Sequence, residues 1–331
     1  MSAEAKNTYS PLIEVVADSE LLLAYAAVRG LPVGDEITKA IVESKNLLNS
    51  DPADSNTFQK QAEFWRAREA LAKVVGNVTV LSLKATAQKE DDRSLWGNIK
   101  LKITGKREKV SAATIAVRRI RLWALLWLLL LLFFQIYWVI GTQITTDIPS
   151  VLKEADQIAQ KVSAKPDDQS LQAKLATLEL DMSVHYSNLE RWNGLWRKVI
   201  FPGVQAEKVK KVDYSALKKA LETAKFPLLA IQLYLLPLLY GLLGAITFVL
   251  RSLALEIKAM TYTPEADINY RLRMHMGALA GLIAIWFLQP DASTAEIFKT
   301  LSPFALAFLA GYSVEVVFSA MDRFIAAFSN K

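Results

Sequence analysis

Leu122–Gly141 reads LWALLWLLLLLFFQIYWVIG, an apolar run without a charged side chain, and Arg118, Arg119 and Arg121 stand directly before it. A helix rises about 1.5 Å per residue, so ~20 residues cover ~30 Å, the thickness of a bilayer's hydrocarbon core. The segment reads as a transmembrane helix, and the rest of the chain is read relative to it. Three further stretches extend the pattern: Pro227–Leu250, Leu272–Leu288 and Pro303–Met321. Pro237 inside the second removes a backbone donor and predicts a kink there. Ser302 before Pro303 is a good N-cap, because proline at the first helical position forfeits an N–H that has no intrahelical partner.

The charges that flank these runs set an orientation. Lys100, Lys102, Lys106, Arg107, Lys109, Arg118, Arg119 and Arg121 precede the first. Arg251, Lys258, Arg271 and Arg273 lie between the second and third, and Arg323 follows the fourth. The short segment Gln289–Thr300 carries Asp291 and Glu296 against Lys299. By the positive-inside rule both termini are cytoplasmic. Lys208, Lys210, Lys211, Lys218, Lys219 and Lys225 oppose that reading, but they sit in a loop longer than ~60 residues, where charge bias loses authority. The net charge of +6 is thus spent at membrane boundaries and on anionic lipid, and nucleic acid is not an expected partner. With 22% charged residues, the lipid-embedded part shares the chain with sizeable water-exposed parts. No cysteine is present, which excludes disulfides, thiolate metal sites and cysteine nucleophiles. The first twenty residues are acidic and show no signal-peptide pattern.

Between the first and second spans the apolar residues repeat at coiled-coil spacing. Ile144, Ile148, Val151, Ala155, Ile158 and Val162 alternate steps of four and three. After Ser163–Asp168 the spacing resumes at Leu171, Leu175, Leu178, Met182, His185, Leu189, Trp192 and Trp196. Two heptad stretches joined by a Pro-Asp turn predict an external antiparallel helical hairpin whose seam those residues form. Only Gly141 and Pro149 interrupt the first arm, so it is expected to continue the first span. The returning arm is the longer one and should end at the membrane boundary, with Trp192, Trp196 and Phe201 at headgroup level or simply capping the hairpin core. Pro202-Gly203 then turns the chain into a lysine-rich connector, a helix expected from about Asp213 that leads into the second span.

Residues 1–110 read as a cytoplasmic helical region with a basic linker. Leu12–Val28, Asp35–Leu48 and Phe58–Val75 show helical spacing, separated by Gly30-Leu31-Pro32 and Ser50-Asp51-Pro52. Val78–Ala87 fits strand or helix equally. The organisation expected is therefore 1–110, a transmembrane helix over 111–141, the hairpin and connector over 142–226, and a three-helix membrane unit over 227–331. The fold class is all-α, a polytopic protein of about four transmembrane helices.

Candidate chemistry is sparse. Glu315 is the one acid well inside an apolar run, ~18 Å from Pro303 if the helix is unbroken. An acid in lipid needs a partner, and Arg251, Arg273 and His275 are the candidates. Either the pair fixes helix packing or Glu315 lines an ion path. Gly241 with Ala245, Gly277 with Gly281, and Ala307 with Gly311 recur at four-residue spacing, which lets helices approach closely in lipid, within one chain or in a homo-oligomer. His185 and His275 are the only histidines and cannot assemble a metal site. Thr104-Gly105-Lys106 lacks the earlier glycine and the following hydroxyl of a phosphate loop. No nucleophile elbow, HExxH, GxGxxG or carboxylate pair is found, so neither catalysis nor a cofactor is expected.

Ala24–Pro32 (AYAAVRGLP), Asn77–Leu83 (NVTVLSL) and Leu309–Glu315 (LAGYSVE) together resemble parts of uncharacterised bacterial inner-membrane proteins. Those have a soluble N-terminal region and a C-terminal membrane hairpin that ends in a Gly-aromatic-Ser-x-Glu motif. The resemblance implies a bacterial inner membrane and weight for Glu315, and it supplies no activity. The expectation that follows is a non-enzymatic membrane scaffold or signal-coupling subunit, partnered by lipid and by itself or another membrane protein. The alternative is an oligomeric channel that uses Glu315.

Overall fold

The computed structural model describes residues 10–47, 55–87, 89–90, 109–200, 214–287 and 302–329. Most of the basic linker, the turn at Pro202-Gly203, Lys208–Lys211 and the segment Gln289–Thr300 lie outside the described residues, as does Thr104-Gly105-Lys106. The described residues are helical apart from a two-residue antiparallel pairing of β1 (Lys89–Glu90) with β2 (Lys109–Val110). By packing, the chain divides into two units, residues 1–120 with 250–270, and residues 121–249 with 271–331.

The first unit is built on α1 (Ser10–Val28), α2 (Asp35–Leu47), α3 (Ser55–Val75) and α4 (Val80–Thr86). Helix α1 ends at Gly30, whose φ of +66° lets Leu31 N–H reach back to Ala26 O at 2.9 Å. Asp35 and Glu36 open α2, where the helix dipole favours negative charge. Leu22, Ala26, Ile41, Ala67, Leu71 and Val75 form the buried core. The open question at Val78–Ala87 is settled by a capping box. Thr79 Oγ1 accepts from Ser82 N at 3.1 Å and Ser82 Oγ accepts from Thr79 N at 3.0 Å, which starts a helix and not a strand. Lys45 pairs with Glu20 at 2.8 Å and Lys84 with Asp18 at 2.7 Å. The Lys84 ammonium is raised by that hydrogen bond to Asp18.

In the second unit α5 (Ala112–Thr146) runs into α6 (Ile148–Ala164) with one bent residue between them, Asp147. Pro149 falls at the start of α6, where its missing N–H is harmless, and the two together make one continuous 53-residue helix, Ala112–Ala164. The turn at Lys165–Asp168 leads to α7 (Gln169–Ile200), which returns antiparallel. The seam is tightest at its base: Ile148, Leu152, Ala155, Met182, Leu189 and Trp192 are buried. Leu171, Leu175 and Leu178 are only half-buried towards the tip, and so is Trp196. The hairpin is not a free two-helix rod. The expected connector forms α8 (Tyr214–Ala230), a third helix whose Leu217, Ala220, Leu221, Ala224 and Leu228 join the same core. This is the lysine-rich helix expected from about Asp213; the buried Ala220, Leu221 and Ala224 lie between its lysines, which leave that face free to pack.

The helix that follows α8 is not broken at Pro237. It continues through a π-helical turn, Ile231–Leu235, into α9 (Leu236–Lys258), giving one helix over Tyr214–Lys258. The wider turn lets Leu236 N–H reach Ile231 O, so the disturbance caused by proline is absorbed as one π turn. Helices α10 (Ala266–Phe287), α11 (Pro303–Tyr312) and α12 (Val314–Ser329) complete the chain.

Two of these helices, Ala112–Ala164 and Tyr214–Lys258, are long and apolar enough to cross a membrane. A third candidate is the pair α11 and α12, bent by 95° at Ser313. Helix α10, which holds the expected Leu272–Leu288 span, is not among them, because Arg271, Arg273 and His275 occupy its first turns. Among the described residues the fold is therefore helical but for the short β1–β2 pairing, with the two or three candidate spans of a membrane protein.

Candidate functional site

The C-terminal helices meet through glycine. A Cβ on Gly241 of α9 would stand 2.5 Å from Gly277 O and 2.7 Å from Gly281 Cα of α10. A Cβ on Gly281 would stand 2.6 Å from Gly241 Cα and from Pro237 O. A Cβ on Gly311 of α11 would strike the Gly241 carbonyl, and one on Gly277 would strike the Ala245 methyl. Ala245 and Ala307 are fully buried. The small-residue spacing thus serves packing within one chain, with backbone laid on backbone. Gly244 belongs to the crossing too, facing the Phe308 carbonyl, and the four-residue spacing did not reveal it.

Below the crossing lies the ion pair. Arg273 of α10 donates to both carboxylate oxygens of Glu315, with Nη2 at 2.8 Å from Oε2. Arg273 Nη2 also donates to Tyr312 O at 3.1 Å, and its guanidinium lies 3.5 Å from the centre of the Phe248 ring. The Arg273 side chain is only 15% exposed, while Glu315 is 67% exposed. A planar guanidinium has the fork for a bidentate carboxylate and a face for an aromatic ring, so arginine suits this position and lysine does not. Tyr312 packs edge-on to the same Phe248, 5.7 Å between ring centres.

The expected depth of Glu315 is corrected by the same geometry. Ser313 leaves the helical region (φ −119°, ψ 62°), and Glu315 falls in the first turn of a new helix instead of ~18 Å along an unbroken one. Arg273 takes up the carbonyl before the break and the carboxylate after it, which holds the corner. Ser302 caps α11 as expected, accepting from Ala305 N at 3.2 Å with Pro303 next in line. His275 does not join the pair: its ring is exposed and its Nδ1 lies 2.7 Å from Arg271 O. Arg251 belongs to the first unit. His185 in the hairpin is half-buried and sits 3.8 Å from Asp181.

At the base of the bundle, Tyr137 of α5 stacks on Trp192, 4.9 Å apart and 14° from parallel. Its hydroxyl donates to Trp192 O at 3.1 Å and Trp192 Nε1 donates to Tyr137 O at 3.4 Å. Gly141 makes room, since a Cβ there would be 2.6 Å from the indole. Trp192 is thus a core residue, and the longer arm does descend beside the apolar helix. Asn193 is buried next to it and donates to Ala220 O at 3.0 Å.

The first unit holds a polar cluster that the sequence reading missed. The turn from α9 to α10 passes through Met260 at φ 59°, with Thr261 N–H donating to Glu256 O at 2.9 Å. Around it Tyr270 donates to Glu256 at 2.5 Å, Arg119 pairs with Asp267, and Tyr262 hydrogen-bonds Asp267. Both tyrosines are buried. Burial, then the Asp267 charge, pushes the Tyr262 hydroxyl up to about 12. Burial and the Glu256 hydrogen bond raise Tyr270 as well. Tyr262 inside a seven-residue turn, with Glu256, Asp267 and Tyr270 flanking it, was the available signal; with this stretch read only for its boundary charges, it disclosed nothing.

Comparison with protein-family models, curated proteins and solved structures finds no match. Among the described residues no group of acids and histidines has the geometry to hold a metal ion.

Proposed function

We propose that the chain is a non-enzymatic membrane scaffold that couples a partner of the hairpin bundle on one side to a partner of the N-terminal helices on the other. The observation that carries the reading is the continuous helix Ala112–Ala164, ~80 Å long, whose first turn packs in the N-terminal unit and whose last turns form an arm of the bundle. One helix over that length passes rotation or displacement along its axis. Leu180 and Val184, one turn apart on α7, are 69% and 56% exposed and offer the bundle an apolar outer patch.

In this reading four apolar segments lie in lipid: 122–141, 227–250, 272–288 and 303 onward. The flanking arginines and lysines put both termini in the cytoplasm and the bundle outside. The resemblance of Leu309–Glu315 to bacterial inner-membrane proteins supports that membrane as its location. The Arg273 pairing favours a structural role for Glu315 over an ion path, since the carboxylate's partner is already supplied by a neighbouring helix.

A single-domain antibody raised against the bundle provides the test. Its binding should alter hydrogen exchange of α1–α3 in the reconstituted protein, and unchanged exchange there would reduce the rod to a tether. Liposome ion flux that changes in Glu315→Gln would establish the channel instead.

A further inference from the structure

Helix α12 is amphipathic. Val314, Val317, Phe318, Met321 and Ile325 share one side, Glu315, Ser319, Asp322 and Ala326 a second side about 120° round from it, and Arg323 follows beside the exposed Val316. Val314, Val317 and Phe318 pack with Met276, Ala280 and Ala284 of α10 and with Ala310. Further along, Ile325 is 60% exposed, so the apolar side outruns the protein that covers it.

The level at which α12 departs is set by its neighbours. Phe304 of α11 stacks on Tyr240 at 5.3 Å and Tyr312 meets Phe248 at 5.7 Å, so α11 runs beside α9 and parallel to it. Phe248 is three residues, ~4.5 Å of rise, before Arg251, the first charge after the apolar run of α9. Arg273 is two residues after Arg271 at the polar start of α10. The corner at Ser313 therefore lies where apolar helix surface gives way to charge, and α12 leaves it at 95° to α11.

We propose that α12 lies in the plane of the membrane, at the boundary between headgroups and acyl chains, and does not cross. Its 16 residues reach ~24 Å, short of the ~30 Å core, and crossing would draw Asp322 and Arg323 into hydrocarbon. Lying flat, the helix puts Met321 and Ile325 among acyl chains and leaves Ser319, Asp322 and Ala326 in water. The occupant of the uncovered apolar strip is lipid, because the corner from which the strip leaves lies where the apolar runs of α9 and α10 give way to charge. The Arg273–Glu315 pair is then the bracket that fixes the exit angle. This inference rests on the membrane reading above, though not on which face holds the termini.

The absence of cysteine permits single-cysteine reporters, placed one at a time at Ser319, Asp322, Ile325 and Ala326 of the full chain in vesicles of phosphatidylethanolamine and phosphatidylglycerol. An environment-sensitive fluorophore is attached to each and quenched by brominated lipid and by aqueous iodide. Quenching should follow helix side: Ile325 at least threefold more sensitive to brominated lipid than its neighbours Asp322 and Ala326, and Ser319 like the latter. A steady trend with residue number means a crossing helix, and iodide access at all four means a helix in water; either overturns the proposal. A membrane-impermeant maleimide on Ala326→Cys, applied from each side, reads the orientation separately. An external signal there, with the side-dependent pattern intact, would sink the cytoplasmic termini and spare the in-plane helix.

Discussion

Arg273 and Glu315 are unequal partners. The arginine is mostly shielded and holds three interactions, while the carboxylate is largely exposed and loses little by returning to water. Removing Glu315 leaves a desolvated cation, whereas removing Arg273 with Glu315 leaves none. Arg273→Met combined with Glu315→Gln should therefore be less destabilising than the sum of the single changes, with a coupling of about 1–3 kcal/mol by thermal unfolding in detergent. The glycines sort by the same attention to neighbours. Gly241→Ala must push against the Gly277 carbonyl and Gly281 Cα, backbone atoms that cannot rotate aside, and should cost about 1–3 kcal/mol. Gly194→Ala meets nothing within 4 Å inside α7 and should gain roughly 0.5–1 kcal/mol from helix propensity. Spacing in the sequence marked Gly241, Gly277, Gly281 and Gly311, because close approach in lipid demands small residues. Spacing could not mark Gly244 or separate it from Gly194, since only the crossing helix tells a required glycine from an incidental one.

Among the elements, what periodicity carries was legible and what a single residue decides was not. The hairpin, its turn and the helix that enters it were readable because heptad spacing repeats over many residues, and Pro149 at a helix start does not break it. The lysine-rich helix from about Asp213 was readable as a helix, though not as the third member of the bundle core, and the break at Ser313 was hidden by an apolar run that continues across it. The π turn at Ile231–Leu235 is a local answer to Pro237 that composition cannot distinguish from a kink. The base of the bundle gives these elements a common test. Gly141 exists to admit the Trp192 ring, which stacks on Tyr137 and closes the seam where α5, α7 and α8 meet. Gly141→Val should displace the indole and separate α7 from α5. Trp192→Ala should leave a cavity worth about 3–5 kcal/mol. Both should expose the lysines and arginines of α7 to trypsin at temperatures where the parent chain resists, and resistance equal to the parent's would show that the stack does not hold the bundle.

At the scale of the molecule, the boundary between units falls inside three helices, α5, α9 and α10, so the first unit takes in the ends of helices that belong mostly to the second. The charges flanking the second and third apolar runs were readable as topology signals, yet Glu256, Asp267, Tyr262 and Tyr270 use that ground to tie the turn and the first residues of α5 together. This cluster makes the first unit sensitive to alkali. Tyr262 is held up to about 12, against about 10 for an exposed tyrosine, so the folded state prefers the neutral phenol. Its contribution is complete below pH ~10, where folded and unfolded forms both keep the proton. Between pH ~10 and ~12 the unfolded form ionises first and the contribution falls away. Tyr270 is raised and acts in the same direction. Hydrogen exchange in the turn 259–265 and in α1–α3, where Met260 packs against the N-terminal core, should therefore rise across that window. Tyr262→Phe should begin less stable by about 1 kcal/mol, through the lost bond to Asp267, and should show a flatter dependence over the same pH range. An unaltered slope in Tyr262→Phe would show that the phenol does not hold the clasp between α9, α10 and the start of α5.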